Sequence, residues 1–558
     1  MLRLAPPLTL TLLIGPVLAG LIGVLALAFG YFPALGGTAL SLDAFAEAMA
    51  APGFARSAWL GYWVGLAATA IGLLVLALFL AGWWGTRPFA PIAALASPLM
   101  AVPHAATAFG LAFLIVPSGW LMRLISPWAT GLDRPPDWLI VNDPAGWALL
   151  AGLVIKEMPY LLLMALAAIP QTAPAARLNA ARAMGYGRVW GFLTAVFPGV
   201  YAQIRLPVYA VIAFSTSVVD MALILGPGTP PTLAVQILRW HNDPDLDMRF
   251  VAAAAAVCQL GVTAAALLTW WLGEKAVAWL GRKAITMGRR YRRDSVFRVL
   301  GFSGFAVIAL TVLLGLIALF VWSVAGFWRF PDALPDRFDL MRWVERAPLF
   351  AEPVFNASLI GLAAAGGAMV LVLASLENGH RRGLTASTRA LTLLYLPLIV
   401  PQIAFVFGLL ILALWLGFAG QFWAVALAHL VFVTPYVYLS LADPYEALDR
   451  RYFAVARSLG KSPARVFFTI RLPLMLRPVL TAFAIGFAIS IAQYLPTQLI
   501  GAGRWPTVTT EAVALAAGND RRVIGSLALI QSLLPAIALG LAALVPALLF
   551  RHRRGMQH

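Results

Sequence analysis

A single cysteine, Cys258, lies in an apolar run (VAAAAAVCQL), which excludes a disulfide framework and a cysteine-built metal centre. Charge is almost as scarce: 11% of the 558 residues are charged, against roughly a quarter in a soluble domain. The six histidines never stand at a ligand spacing such as i, i+4, so they read as isolated interface or core residues. What fills the chain instead is apolar. Hydrophobic residues make up 61% and the mean hydropathy is +0.86, so lipid is the solvent for most of it.

Twelve apolar spans are legible, each near the roughly 20 residues a helix needs to cross a bilayer. They run approximately over 8–30, 57–83, 92–117, 145–168, 203–225, 250–272, 300–326, 356–376, 389–416, 421–442, 476–497 and 525–550. The first exceeds the usual signal-peptide core and has a counterpart at 300–326, so it reads as a retained helix. With the N-terminus in the cytoplasm, 27 of the 40 Lys and Arg fall on the cytoplasmic side or at its span edges, and 12 fall outside. Acids run the other way, with 6 inside and 15 outside. The net charge of +17 is thus topological bias, with both termini cytoplasmic, and not a nucleic-acid-binding face.

The chain repeats itself. "LNAARAMGYGRVWGFLTAVFP" (178–198) and "FAVARSLGKSPARVFFTIRLP" (453–473) share a Gly-to-Pro spacing of 13, Gly185 to Pro198 and Gly460 to Pro473. Upstream, "PLMAVPHAATAFG" answers "PLIVPQIAFVFG", pairing Pro103 with Pro401 and Gly110 with Gly408. "EMPYLLL" answers "VTPYVYL", and "GPGTPPTLAV" answers "GAGRWPTVTT". Extra residues in the first copy fall in a Trp- and Pro-rich outside loop after Pro117. Both copies enter from the cytoplasm, so the repeats are parallel. The expected fold is an all-α polytopic membrane protein of two tandem six-helix repeats, 1–280 and 299–558. A basic linker at 281–298 joins them, read as a positive-inside anchor for anionic lipid.

Each polar piece, about 172–198 and 445–473, sits between spans four and five and reads as helix, glycine-ended turn and helix. Ser462 and Pro463 give the second of these helices a start signal. This pattern resembles the EAA loop of ABC importer permeases, matched here by Asn179-Ala180-Ala181 with Gly185, Phe197 and Pro198. The second copy supplies Ala454-Val455-Ala456 with Gly460, Ile470, Leu472 and Pro473. The family glutamate is absent from both. The resemblance covers essentially the whole chain and is closest to the fused, two-lobe permeases of the thiamine, ferric-iron and polyamine importer group.

That resemblance implies a transport subunit and not an enzyme, in a bacterial inner membrane. No cofactor would be bound by the chain itself: ATP would bind and be hydrolysed on a separate ATPase, present in two copies. A separate solute-binding protein would deliver thiamine or another small cation. Asn179, Ala180, Ala181, Gly185, Ala454, Val455, Ala456 and Gly460 would contact the ATPases, with Arg182, Arg188, Arg457 and Lys461 around them. The eight residues after the last span are too few for an ATPase domain. "SLGKS" lacks the earlier glycine and strand of a phosphate-binding loop.

Within the spans stand three charges, Lys156, Glu157 and Asp220. Charge in a bilayer is costly, so each is a functional candidate. Lys156 and Glu157, about 100° apart on a helix, either pair with other helices, line a wet cavity, or neutralise each other inside the bundle. Asp220, matched approximately by Gln493 beside Tyr494, either attracts a cationic substrate or hydrogen-bonds between helices. The alternative of another class is an ATP-independent secondary transporter with six plus six spans, which would need coupling charges and no duplicated loop.

Overall fold

The computed structural model describes residues 2–384, 387–518 and 520–551, so His552 and His558 lie outside it. Among the described residues ten helices are long and apolar enough to cross a bilayer, or twelve if two bent pairs count as one span each. The first half comprises α1 (Ala5–Ala28), α2 (Phe54–Trp83), α3 (His104–Ile115), α4 (Trp147–Ala168), α5 (Pro174–Ala183), α6 (Arg188–Ala195), α7 (Phe197–Ser217), α8 (Asp220–Leu225) and α9 (Met248–Thr286). The second comprises α10 (Ser295–Ser323), α11 (Met341–Arg382), α12 (Gln402–Trp415), α13 (Phe422–Glu446), α14 (Arg450–Ser458), α15 (Pro463–Val466), α16 (Leu476–Ile491), α17 (Leu495–Ile500) and α18 (Arg521–Leu549). Backbone groups in lipid must be satisfied within the segment, which is why helices dominate.

The two halves are interlocked. Helix α1 packs chiefly on α12 of the second half, then on α9 of its own half and on α11, while α10 packs on α2 and α3 of the first. Glycine makes both crossings close. A Cβ on Gly408 of α12 would lie 1.8 Å from the Gly20 carbonyl oxygen, and one on Gly20 would lie 2.0 Å from that of Phe405. In the other crossing a Cβ on Gly110 would lie 3.0 Å from Gly315 Cα. The repeat glycines Gly110 and Gly408 thus have one role: each admits the first helix of the opposite half. Without a hydrophobic difference between lipid and side chains, such close backbone packing is what holds membrane helices together.

Four of the twelve expected spans are not continuous. The span at 92–117 breaks between Ala101 and His104, and the span at 389–416 bends by 86° between Ile399 and Gln402. Proline at 103 and 401 removes the N–H that would carry each helix through. The spans at 203–225 and 476–497 break after Ser217 and Ile491. The linker is also shorter than expected. Helix α9 continues to Thr286 and α10 starts at Ser295, leaving 287–294 between them.

Substitution of Gly408 by Leu is expected to lower the unfolding temperature of the purified protein by several degrees, because the clash is with backbone and overpacking costs about 1–3 kcal/mol. Gly261→Ala, where nothing lies within 4 Å of an added Cβ, serves as the neutral control in the same thermal scan.

Candidate functional site

All four breaks open onto one cavity of about 150 Å³ between the halves. Its wall includes Met100, Ala101, Pro103 and His104 from one break and Pro397 to Gln402 from its counterpart, without Ile399 and Pro401. Ser217 to Asp220 and Ala492 to Leu495 supply the other two. Irregular backbone at membrane depth is tolerated where it borders such a cavity. Tyr160 and Tyr436, which occupy the same place in EMPYLLL and VTPYVYL, meet edge to face with ring centroids 6.4 Å apart. Their pairing sets the pseudo-two-fold axis within the cavity.

The three intramembrane charges all reach this cavity, together with Gln493 and Tyr494. No hydrogen bond or close ion pair joins Lys156 to Glu157; each finds its partner on another element. Lys156 Nζ donates to the carbonyls of Met100 at 2.7 Å and Val102 at 2.5 Å. These carbonyls end the helix before Pro103, where partial negative charge collects, so the lysine is consumed by the break. Glu157 Oε1 instead lies 3.2 Å from His104 Nε2. Asp220, at the first position of α8, is 8% exposed and lies within electrostatic reach of Glu157, His104 and Tyr494. The structure corrects the repeat register here. Asp220 and Leu495 both open the helix after the break, whereas Gln493 and Tyr494 occupy the break itself, as Val218 and Val219 do. With Lys156 tied to carbonyls, the open polar lining is two carboxylates, one histidine, amides and phenols.

The two repeated loops fold as expected into helix, turn and helix. Gly185 and Gly460 turn the chain at φ of +84° and +77°, a region side chains disfavour. Asn179, Ala180, Arg182, Ala454, Val455, Arg457 and Lys461 are exposed on the outer face. Ala181 and Ala456 are not: they are 2% and 4% exposed and face inward. A Cβ on Gly191 of α6 would lie 3.2 Å from the Ala181 Cβ, so the two helices of the loop pack closely here. Pro198 starts α7, which returns to the bundle, whereas Pro473 lies in the segment Pro463–Leu474, and α16 returns after a 78° bend.

Each loop is tied to the end of the second long helix of its own half. Arg188 donates to the carbonyls of Gly82, at 2.9 Å, and Trp84. In the second half Glu377 of α11 receives Arg381 at 2.6 Å, together with Arg471 and Tyr445. Arg381 also donates to Pro463 O at 3.2 Å, and the Arg471 guanidinium lies 3.9 Å over the Phe453 ring.

The model of the family described as "Binding-protein-dependent transport system inner membrane component" matches residues 355–552. The chain is 33% identical, over 88% of its own length and 88% of the relative's, to the inner membrane ABC transporter permease protein YnjC of Escherichia coli (strain K12). It belongs to this permease family. Over shorter stretches the permease is 29% identical to a spermidine/putrescine transport system permease protein PotC homolog of Mycoplasma pneumoniae, covering 37% of this chain and 72% of that one. It is 26% identical to the putrescine transport system permease protein PotI of Escherichia coli (strain K12), covering 24% and 50%. No solved structure matches. The permease is an ABC importer subunit of fused two-lobe form, crossing the inner membrane many times.

Four residues escape the sequence reading. His104 stands directly after the repeat landmark Pro103 but reads in the sequence as a lone histidine. Tyr160 and Tyr436 sat inside the repeat segments and were detectable from their common offset. Glu377, near the end of a basic helix, carried no signal.

Lys156→Met is expected to destabilise the permease by about 1–3 kcal/mol, because two buried carbonyls lose their donor. Glu157→Gln, which keeps a hydrogen-bonding group beside His104, is expected to retain the wild-type unfolding temperature in the same measurement.

Proposed function

We propose that this permease carries a small organic cation through the cavity between its halves, driven by two copies of a separate ATPase that engage the two repeated loops. The observation that carries the substrate class is the cavity's charge. Glu157 and Asp220 line it, while the neighbouring cation, Lys156, is bound by carbonyls. Two carboxylates in a low-dielectric site, with His104 beside Glu157, are costly until a cation neutralises them. The rings of Phe214, Tyr436 and Tyr494 offer cation–π faces beside it.

Within that class, a diamine or polyamine is better supported than thiamine. Relatives whose names give a substrate are spermidine/putrescine and putrescine permeases. Thiamine rests on the likeness of sequence segments alone. A solute-binding protein on the face opposite the loops would deliver the cation.

The coupling reading rests on loop geometry. The exposed faces of α5 and α14 carry short side chains at Ala180 and Ala454, which lets a partner's groove approach the backbone, and Arg182 and Arg457 flank them. ATP binding would close the ATPases, move the loops, and rock the interlocked halves. Coupling then requires nucleotide and substrate to favour different states. The loop face lies in the cytoplasm in this reading, as the Lys and Arg bias indicates. A secondary transporter would have no use for two such loops.

Uptake of labelled putrescine, spermidine and thiamine tests the substrate class. The Glu157→Gln, Asp220→Asn double variant is expected to lose at least about tenfold in uptake of the preferred cation at unchanged abundance in the membrane. Undiminished uptake would remove the carboxylates from the pathway. For coupling, Ala180→Asp and Val455→Asp together are expected to abolish co-purification of the ATPase; retained co-purification would place its contact elsewhere.

A further inference from the structure

The two repeated loops share a chain trace but not a means of support. In the second loop Ser462 follows the turn, and its Oγ accepts the N–H of Arg465, capping α15 from within. The offset of 275 that relates Gly185 to Gly460 places Gly187 at the position of Ser462. Glycine has no side chain to cap with. The cap of α6 comes instead from the linker between the halves: Asp294 Oδ2 accepts the N–H of Val189 at 2.6 Å.

The rest of the linker grips the same turn. The Arg290 carbonyl accepts the N–H of Gly187 at 2.9 Å, and Arg292 Nε donates to Gly185 O at 3.3 Å. The Tyr291 and Trp190 rings lie 4.8 Å apart. A Cβ on Gly187 would fall 2.2 Å from Tyr291 O and 2.7 Å from Asp294 Oδ2, so the linker fills the space a serine would need. Beside Gly185 an added Cβ would meet Arg290 Nη1 at 3.0 Å, whereas Gly460 has nothing within 4 Å. Instead of facing lipid alone, these linker residues are built into the first loop.

We propose that residues 290–294 are a working part of the first coupling loop, with Asp294 as its positioning residue, and that the two ATPase contacts are therefore unequal. The first loop presents α5 only while the linker is docked, and it adds the guanidinium groups of Arg290 and Arg292 beside the turn. The second loop stands on Ser462 and needs no linker. The functional half of this inference rests on the coupling reading above.

The test uses the full chain in nanodiscs, with Asp294→Ala, Asp294→Asn, and a chain whose residues 289–294 are replaced by glycine and serine, alone and with Gly187→Ser. Amide hydrogen exchange is read over 188–192 and 463–467. Cross-linking to the co-purified ATPase is read from a photoreactive probe on Ala180→Cys or Val455→Cys in a Cys258→Ser background. Asp294→Ala is expected to speed exchange in the first segment roughly fivefold, the usual effect of a lost cap, and to leave the second unchanged. It should weaken the Ala180→Cys cross-link and spare the Val455→Cys one, and Asp294→Asn should restore most of both readouts. Replacing the linker should cost more, and Gly187→Ser, now given room, should recover the cap. Equal changes in both loops, no change in either, or no recovery by Gly187→Ser would overturn the inference. If the first loop responds as expected in exchange but neither probe cross-links in the otherwise unaltered chain, the coupling reading fails and the structural brace stands.

Discussion

Two glycine crossings hold this permease together. Where α1 crosses α12 at Gly20 and Gly408, and α10 crosses α3 at Gly315 and Gly110, backbone meets backbone with no room for a side chain. Each half therefore carries the other's first helix. Neither half has a complete packing surface alone, because lipid gives helices no hydrophobic reason to associate and close contact must supply the attraction. The interlock also limits how the halves move. Separation of the halves would strip both crossings at once.

The cavity follows from the same economy of backbone. A helix can stop inside a membrane only if its freed carbonyls and amides find partners. At the first break the partner is Lys156, whose Nζ serves Met100 and Val102. At the fifth span of the second half, His429 joins Ser490 before the break to Thr497 after it, at 2.7 and 2.8 Å. These are structural uses of polar residues. They explain why the Lys156 ammonium is turned onto backbone carbonyls, while Glu157 and Asp220 border the cavity without such a backbone tie to the first break. All three intramembrane charges border the cavity, and one of them, Lys156, also ties the first break.

The number of spans, the parallel repeat and the two loops were all legible in the sequence, because each is a matter of composition or fixed spacing. The breaks were not. A hydropathy window counts apolar residues and is blind to a lost N–H, so 203–225 read as one span although the chain turns at Val218. The proline pairs at 103 and 401 were found as landmarks of the repeat, without the bend they cause being drawn. In the loops, the small residues were assigned to one outer surface. Helical geometry divides them: Ala180 and Val455 face out, Ala181 and Ala456 face in, since neighbours on a helix stand about 100° apart. The role of Asp294 had no sequence signal, because its target lies a hundred residues earlier.

The interlock dictates where the linker runs. Helix α9 ends the first half, and α10, although it begins the second, packs on α2 and α3 of the first. Both ends of residues 287–294 are therefore fixed beside the first half, and Arg298 is held there by Trp83, whose Nε1 donates to its carbonyl at 3.1 Å. Trp83 and Trp84 close α2 at the same place where Arg188 anchors the first loop. A short strand of eight residues between these points has to pass along that loop. The linker does not reach the second loop, since α11, which anchors it, is reached from α10 across the opposite end of the bundle. A serine that caps its own helix suits the loop the linker does not cross. A glycine that yields its cap to an aspartate suits the loop that the linker crosses. The difference between Ser462 and Gly187 is thus a consequence of swapping the first helices within one continuous chain.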